Sequence, residues 1–190
     1  MENMSLSKRF TGHLSTITRH KLLVQKLCFS CGMYSQGLKH DLSKYSPEEF
    51  LAGVKYYQGY RSPIDKEKEE IGYSRGWLHH KGRNKHHWNY WVDVDYKTMR
   101  NEALPMPFNY MLESVLDKIA ASKIYSKEKY HDGYPADYFL NSPEHQMMHP
   151  ETVRQIDLLL GYLKEYGEEK ALAYYRELYR KWKKDNTFTL

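Results

Sequence analysis

In the stretch Gly37-Leu38-Lys39-His40-Asp41-Leu42-Ser43-Lys44 a histidine and an aspartate stand side by side. Adjacent side chains point about 100° apart on a regular helix and to opposite faces of a strand. His40 and Asp41 therefore face one point only where the backbone bends or a helix ends. Gly37 allows a bend just before the pair. Ser46-Pro47-Glu48-Glu49 starts a new helix just after it, with a capping serine, a proline in the first turn and two acidic residues at the positive helix end. A neutral imidazole nitrogen beside a carboxylate oxygen suits a borderline or hard divalent cation. A fold built on this pair must bring further ligands to the same helix end.

Such ligands follow in order along the chain. His20 lies on a helical stretch, Thr11 to Cys31, where Leu14, Ile17, Leu22, Leu23, Val24, Leu27 and Cys28 recur at three- and four-residue spacing. Gly32 can end that helix, and His13 lies near the stripe of His20 but reads as an ordinary surface or core histidine. His79, His80, His86 and His87 crowd between Trp77 and Trp88. One histidine of each doublet is expected to face inward, with His80 and His87 preferred and His79 and His86 left open as alternatives, the other pointing outward or to a supporting partner. Phe108 to Tyr125 carries Met111, Leu112, Val115, Leu116, Ile119 and Ala120 at helical spacing, and Glu113 and Asp117 share one of its faces. A carboxylate in so apolar a run is costly to bury unless paired or coordinated, which makes Asp117 the candidate for the last ligand. Glu113 reads either as a residue that supports a ligand or as a general base for water. Lys44, and Lys81, Arg83 and Lys85 in the histidine-rich segment, are candidates to hold a phosphate.

The order His … His-Asp … Asp resembles the HD-domain superfamily of metal-dependent phosphohydrolases. The segments RHKLLVQKLCFSCG and LKHDLSK are similar to its first two elements, including the lysine three residues after the aspartate, and the resemblance runs from Arg19 to Tyr125. It implies an all-α, HD-domain-like bundle of about six to eight helices. It implies His20, His40, Asp41 and Asp117 as ligands, joined by His80 and His87 in the histidine-rich branch that looks like the one holding two metals. The implied activity is hydrolysis of a nucleotide or other small phosphorylated compound by a metal-activated water. One or two ions of Mn, Fe, Co, Ni or Mg would serve, with Glu113 and Lys44 catalytic and Lys81, Arg83 and Lys85 on the phosphate. Two other readings stay open: a di-iron oxygenase that cleaves C–C or C–P bonds, and a non-catalytic helical module with a structural metal or none.

Composition sets outer bounds. With 190 residues, 41% apolar and 15% aromatic, the chain has material for one packed domain over 1–190. Glu151–Tyr166 and Glu168–Lys184 read as a helical hairpin packed on the rest, turning at Gly167. No apolar run reaches the roughly 18 residues of a membrane span, and Met1 to Met4 lack the apolar core of a signal peptide. Cys28-Phe29-Ser30-Cys31 has neither a second cysteine pair nor a preceding strand, so it reads as two small core residues rather than a zinc or redox motif. Two cysteines fit a reducing cytosol, and a cytoplasmic location is expected. The net charge of +5 fits an anionic ligand. The absence of an aromatic-and-basic repeat keeps nucleic acid from being the leading partner, and a homo-oligomer is left open. Elsewhere the pattern predicts a loose start over 1–8 and, on the helix from Pro47, an inward face of Phe50, Leu51, Val54 and Tyr57. It predicts one polar helix over 64–80, weakened by Gly72 and Gly76, and a short extended piece around Val92–Asp95. A Tyr- and Pro-rich connection, Lys127–Pro150, has one short helix near Ala136–Leu140 and surface histidines His131, His145 and His149.

Overall fold

The computed structural model describes residues 4–190, and helix accounts for 71% of these. The helical class expected from the periodicity is present, with one small two-stranded sheet added to it. Helix α1, Leu6–Ser30, begins earlier than the apolar pattern indicates, because the Ser5 hydroxyl accepts the backbone N–H of Lys8 and caps it. The start expected to be loose over 1–8 is therefore helical from Leu6 onward, and residues 1–3 lie outside those described. Gly32, at φ +80°, turns the chain out of α1.

Helix α2, Tyr34–Lys39, packs against the end of α1. Gly37 is not the bend expected of it. It lies inside α2, where a Cβ would sit 2.9 Å from Cys28 Cβ and 3.2 Å from the Phe29 ring. Its service is close approach of two helices. The Lys21 ammonium donates to the last carbonyls of this short helix, Leu38 at 2.8 Å and His40 at 3.0 Å.

Helix α3, Pro47–Tyr56, buries Glu49, Gly53, Val54 and Tyr56, whereas Leu51, expected inward, is 63% exposed. The predicted polar helix over 64–80 is two helices, α4 (Pro63–Ile71) and α5 (Arg75–Lys81). Gly72 breaks the run in the left-handed region at φ +82°. Ser74 restarts it by accepting the Trp77 N–H at 2.9 Å. Strands β1, Val92–Asp95, and β2, Arg100–Ala103, then form an antiparallel hairpin with Val92 opposite Ala103 and Asp95 opposite Arg100.

Helix α6, Phe108–Ser126, is the core element. Met111, Leu112, Val115, Leu116, Ile119 and Ala120 are all fully buried, each large one contributing on the order of 1.5–3 kcal/mol by leaving water. It packs against α1 and against α7 (Tyr134–Leu140), α9 (Pro150–Tyr166) and α10 (Glu168–Lys184), the last two being the expected C-terminal hairpin. The brief α8, Pro143–Met147, was not foreshadowed by any apolar period. Cys28 and Cys31 are completely buried in this core, as two small core residues should be. Among the described residues no helix is long and apolar enough to cross a membrane.

Candidate metal centre

Five segments send side chains to one point. His20 comes from the middle of α1, His40 and Asp41 from the end of α2, His80 from α5, His86 and His87 from the turn that follows it, and Asp117 from α6. The bend that lets His40 and Asp41 face together lies at the pair itself. His40 ends α2 at φ −50°, ψ 126°, and Asp41 takes a left-handed conformation at φ 55°, ψ 22°. Aspartate is among the few residues that adopt this region readily.

The distances form two sets sharing Asp41. On one side, Asp41 Oδ2 is 3.5 Å from His20 Nε2 and 3.3 Å from His40 Nε2. Asp117 Oδ1 is 2.9 Å from His20 Nε2 and 3.8 Å from His40 Nε2. On the other, Asp41 Oδ1 is 3.3 Å from His80 Nε2 and 3.4 Å from His86 Nε2, and His87 Nε2 is 2.8 Å from His80 Nε2. Ligands about 2.1 Å from one ion stand about 3.0–3.5 Å apart, so most of these separations are close to those of coordination edges, while the His40–Asp117 separation is longer. His86 Nε2 also lies 3.7 Å from Asp117 Oδ2, between the two sets.

The orientation of the rings matches that geometry. Glu113 Oε1 accepts from His40 Nδ1 at 2.9 Å and lies 3.2 Å from His86 Nδ1. Glu49 Oε2 is 2.7 Å from His80 Nδ1 and its Oε1 is 2.6 Å from His79 Nδ1. A carboxylate holding Nδ1–H leaves Nε2 free to coordinate. Among the described residues His20 Nε2, His40 Nε2, His86 Nε2 and Asp41 Oδ1 are buried without a hydrogen bond. Buried polar atoms are rarely left so, and four that converge fit a missing cation. The residues present thus form groups that could hold a metal ion.

Charge reinforces the arrangement. Burial raises the Asp41 carboxyl, but His40, Lys44 and His80 outweigh it and hold the group well below the usual range. Burial raises Asp117 too, and His20, His40 and His86 bring it well below. For Glu113 burial is likewise overcome, by His40 and His86, to about 2. Burial lowers the imidazolium form of His80 more than the Asp41 and Glu49 carboxylates raise it. His87 is driven down by burial and by the charges of His86 and His80.

All six expected ligands, His20, His40, Asp41, His80, His87 and Asp117, are brought together. His86 was missed, because one inward histidine per doublet was expected. The chain after α5 runs as a tight turn in which Asn84 and His86 are buried while Arg83 and Lys85 point out. Asn84 pins the turn through the His80 carbonyl and Ser43 Oγ, both at 2.8 Å. The Trp at each end of the segment was the available signal: Trp77 rests on His80 and His87, and Trp88 is buried.

Glu113 stands behind the ligand rings, which favours its supporting reading over that of a general base. Lys44 Nζ reaches Asp41 Oδ2 at 2.5 Å and keeps 27% exposure, so it borders the open side of the cluster. Lys81, Arg83 and Lys85 have other surroundings. Arg83 contacts the His79 carbonyl, Lys85 lies over the Tyr90 and Tyr110 rings, and none of the three lines the cavity beside the cluster. His13 packs against Phe50 and Tyr57 away from the ligands. His131 is exposed, His145 pairs with Asp157 at 3.0 Å, and His149 caps α9.

A mostly helical protein with a buried, carboxylate-bridged histidine cluster is the class these features define. The chain belongs to a family of unknown function, DUF5662, whose model matches residues 9–161 and so includes every residue of the cluster. No curated protein and no solved structure matches the chain.

Proposed function

We propose that the protein is a metal-dependent phosphohydrolase acting on a small phosphorylated compound. The observation that carries the reading is Asp41, whose two carboxylate oxygens each face a separate group of histidine nitrogens. Two divalent ions bound there would clamp a phosphoryl oxygen and lower the pKa of a coordinated water. The chain's own residues do the rest. Glu113 and Glu49 fix the ring orientations. Lys44 adds a positive charge beside Asp41 that offsets the charge of an arriving phosphate. The open edge at Asp117, whose side chain is 16% exposed, leaves a way in from solvent. Water bonds to phosphorus, the ester P–O bond breaks, and an alcohol and inorganic phosphate leave. The order His20 … His40-Asp41 … Asp117 resembles that of the HD-domain superfamily and supports an HD-like arrangement of the helices.

A second reading is favoured by the richness in histidine, five against two aspartates in the cluster. Two irons in such a donor set suit activation of dioxygen. One experiment separates the two readings. Protein reconstituted anaerobically with manganese(II) or iron(II) is assayed for phosphate release from p-nitrophenyl phosphate and, separately, for oxygen uptake with candidate organic substrates. Phosphate release that disappears in Asp41→Asn supports the hydrolase. No release with either metal, together with oxygen uptake, overturns it in favour of the oxygenase.

A further inference from the structure

A cavity of about 90 Å³ opens beside the metal cluster, with Lys44, Glu49 and His80 on the cluster side and Glu67 in the wall formed by α4. That volume is room for several water molecules, and so for a short chain. Ile17, Tyr57, Ile64 and Tyr125 supply apolar lining suited to methylene groups.

Glu67 is only 4% exposed. Its Oε2 accepts from the Ser74 hydroxyl at 2.5 Å. Among the described residues its Oε1 receives no hydrogen bond and no cation lies within ion-pair distance, although Lys55 and Arg75 feel its charge from further away. The basic groups that line the cavity are all committed elsewhere. Lys44 is on Asp41, Arg61 is bidentate on the outer Glu69 at 2.5 and 2.6 Å, and His80 is on Glu49. His13 is neutral, since burial and then the charge of Lys44 push it down to about 4. A buried carboxylate without an ion-pair contact is costly, and this one lines the cavity beside the metal cluster.

We infer that this cavity is a subsite for the ammonium end of a short aminoalkyl phosphate ester, with Glu67 as its anionic partner. The inference rests on the phosphohydrolase reading for the other end of that ligand, the phosphate at the cluster. The spacing agrees. Glu67 Oε2 lies 3.8 Å from where a Cβ on Gly76 would be. His80 stands four residues on in the same helix, about 6 Å along its axis. The five single bonds that run from phosphorus through oxygen and a three-carbon linker to nitrogen, about 1.5 Å each in a zigzag chain, cover that span. Gly76 has a further consequence: any side chain there would enter the space between Glu67 and Ala52.

The test is calorimetric titration of manganese(II)-loaded protein with 3-aminopropyl, 3-hydroxypropyl and propyl phosphate, on wild type and on Glu67→Gln. The expected result is binding of the amino ester roughly tenfold or more tighter than the propyl ester in wild type. That preference should fall to within about twofold in Glu67→Gln while the propyl ester keeps its wild-type affinity. Equal affinities of the three esters in wild type, no binding of any, or a preference that survives in Glu67→Gln overturns the subsite. The ranking in wild type decides the matter even where the variant does not fold. Should the preference be found and none of the esters be hydrolysed, the phosphohydrolase reading fails and the subsite stands.

Discussion

Replacing Glu113 with Gln tests the support behind the cluster. Oε1 of Glu113 serves both His40 Nδ1 at 2.9 Å and His86 Nδ1 at 3.2 Å, and Oε2 accepts from Gln36 Nε2 at 3.0 Å. A glutamine has one acceptor oxygen in place of two. With that oxygen toward the histidines, its NH₂ group meets the NH₂ of Gln36. In the flipped orientation it meets the two ring N–H groups. Either way at least one donor is left facing a donor, and the charge that fixes both tautomers is gone. Loss of such a supporting partner typically weakens metal binding about 10–100-fold, or roughly 1.4–2.7 kcal/mol. His40 belongs to one half of the cluster and His86 joins the other, so both ions should weaken together. The metal-free variant should also lose about 1–3 kcal/mol of stability, a fall of roughly 3–9 °C in melting temperature for a chain of this length. Manganese titration by calorimetry and melting by circular dichroism measure the two effects. A variant that binds manganese with wild-type affinity but turns over no substrate would refute the supporting role and return Glu113 to that of a general base.

Three further outcomes follow from the geometry. In Gly53→Ala a Cβ would lie 2.1 Å from His13 Nε2 and 2.3 Å from its Cε1. Overpacking there should exceed the gain in helix propensity and destabilise the protein by about 2 kcal/mol net, read as a lower melting temperature. Stability should also fall as pH drops from about 6.5 to 4, in part through His13. Its folded pKa is depressed by burial to about 4, so in that window the unfolded chain binds the extra proton. The full difference is about 3 kcal/mol. His13→Gln should lose that much of the pH dependence in urea titrations at pH 4 and 7.5, and an unchanged slope would contradict the assignment. Cys28 and Cys31 are fully buried and their thiols are raised by burial, Cys31 to about 12. Neither should react with a thiol reagent at pH 8 until the protein unfolds, and rapid labelling of the folded protein would show the core reading to be wrong.

Much of the site was legible because its residues are of kinds that apolar helices seldom tolerate. A carboxylate at Asp117, inside the most apolar run of the chain, and a His-Asp dipeptide each demand a partner, and chain order supplied the pairing. The bounds of α6, α9 and α10 followed from their periods, and Gly167 marked the turn between the last two. What was not legible depended on contacts between distant segments. Gly37 looked like a hinge because glycine permits one, but whether it bends or admits a neighbour depends on Cys28 and Phe29, which only the α1–α2 packing brings near. The choice among His79, His80, His86 and His87 rested on helical reasoning, and the chain there leaves the helix at Gly82. Glu49 reads in the sequence as a helix-start charge, and its burial beside His79 and His80 is a tertiary fact. Lys81, Arg83 and Lys85 were grouped by proximity in sequence, yet the alternation of the turn sends Arg83 and Lys85 to the side opposite His86.

The most direct test of the account is anomalous-difference crystallography of the manganese(II)-loaded protein. It predicts two peaks, one within about 2.0–2.3 Å of each carboxylate oxygen of Asp41, the first also ligated by His20, His40 and Asp117 and the second by His80 and His87, with His86 at one of them. A map without a peak near Asp41, at manganese concentrations that saturate the protein in solution, would contradict it.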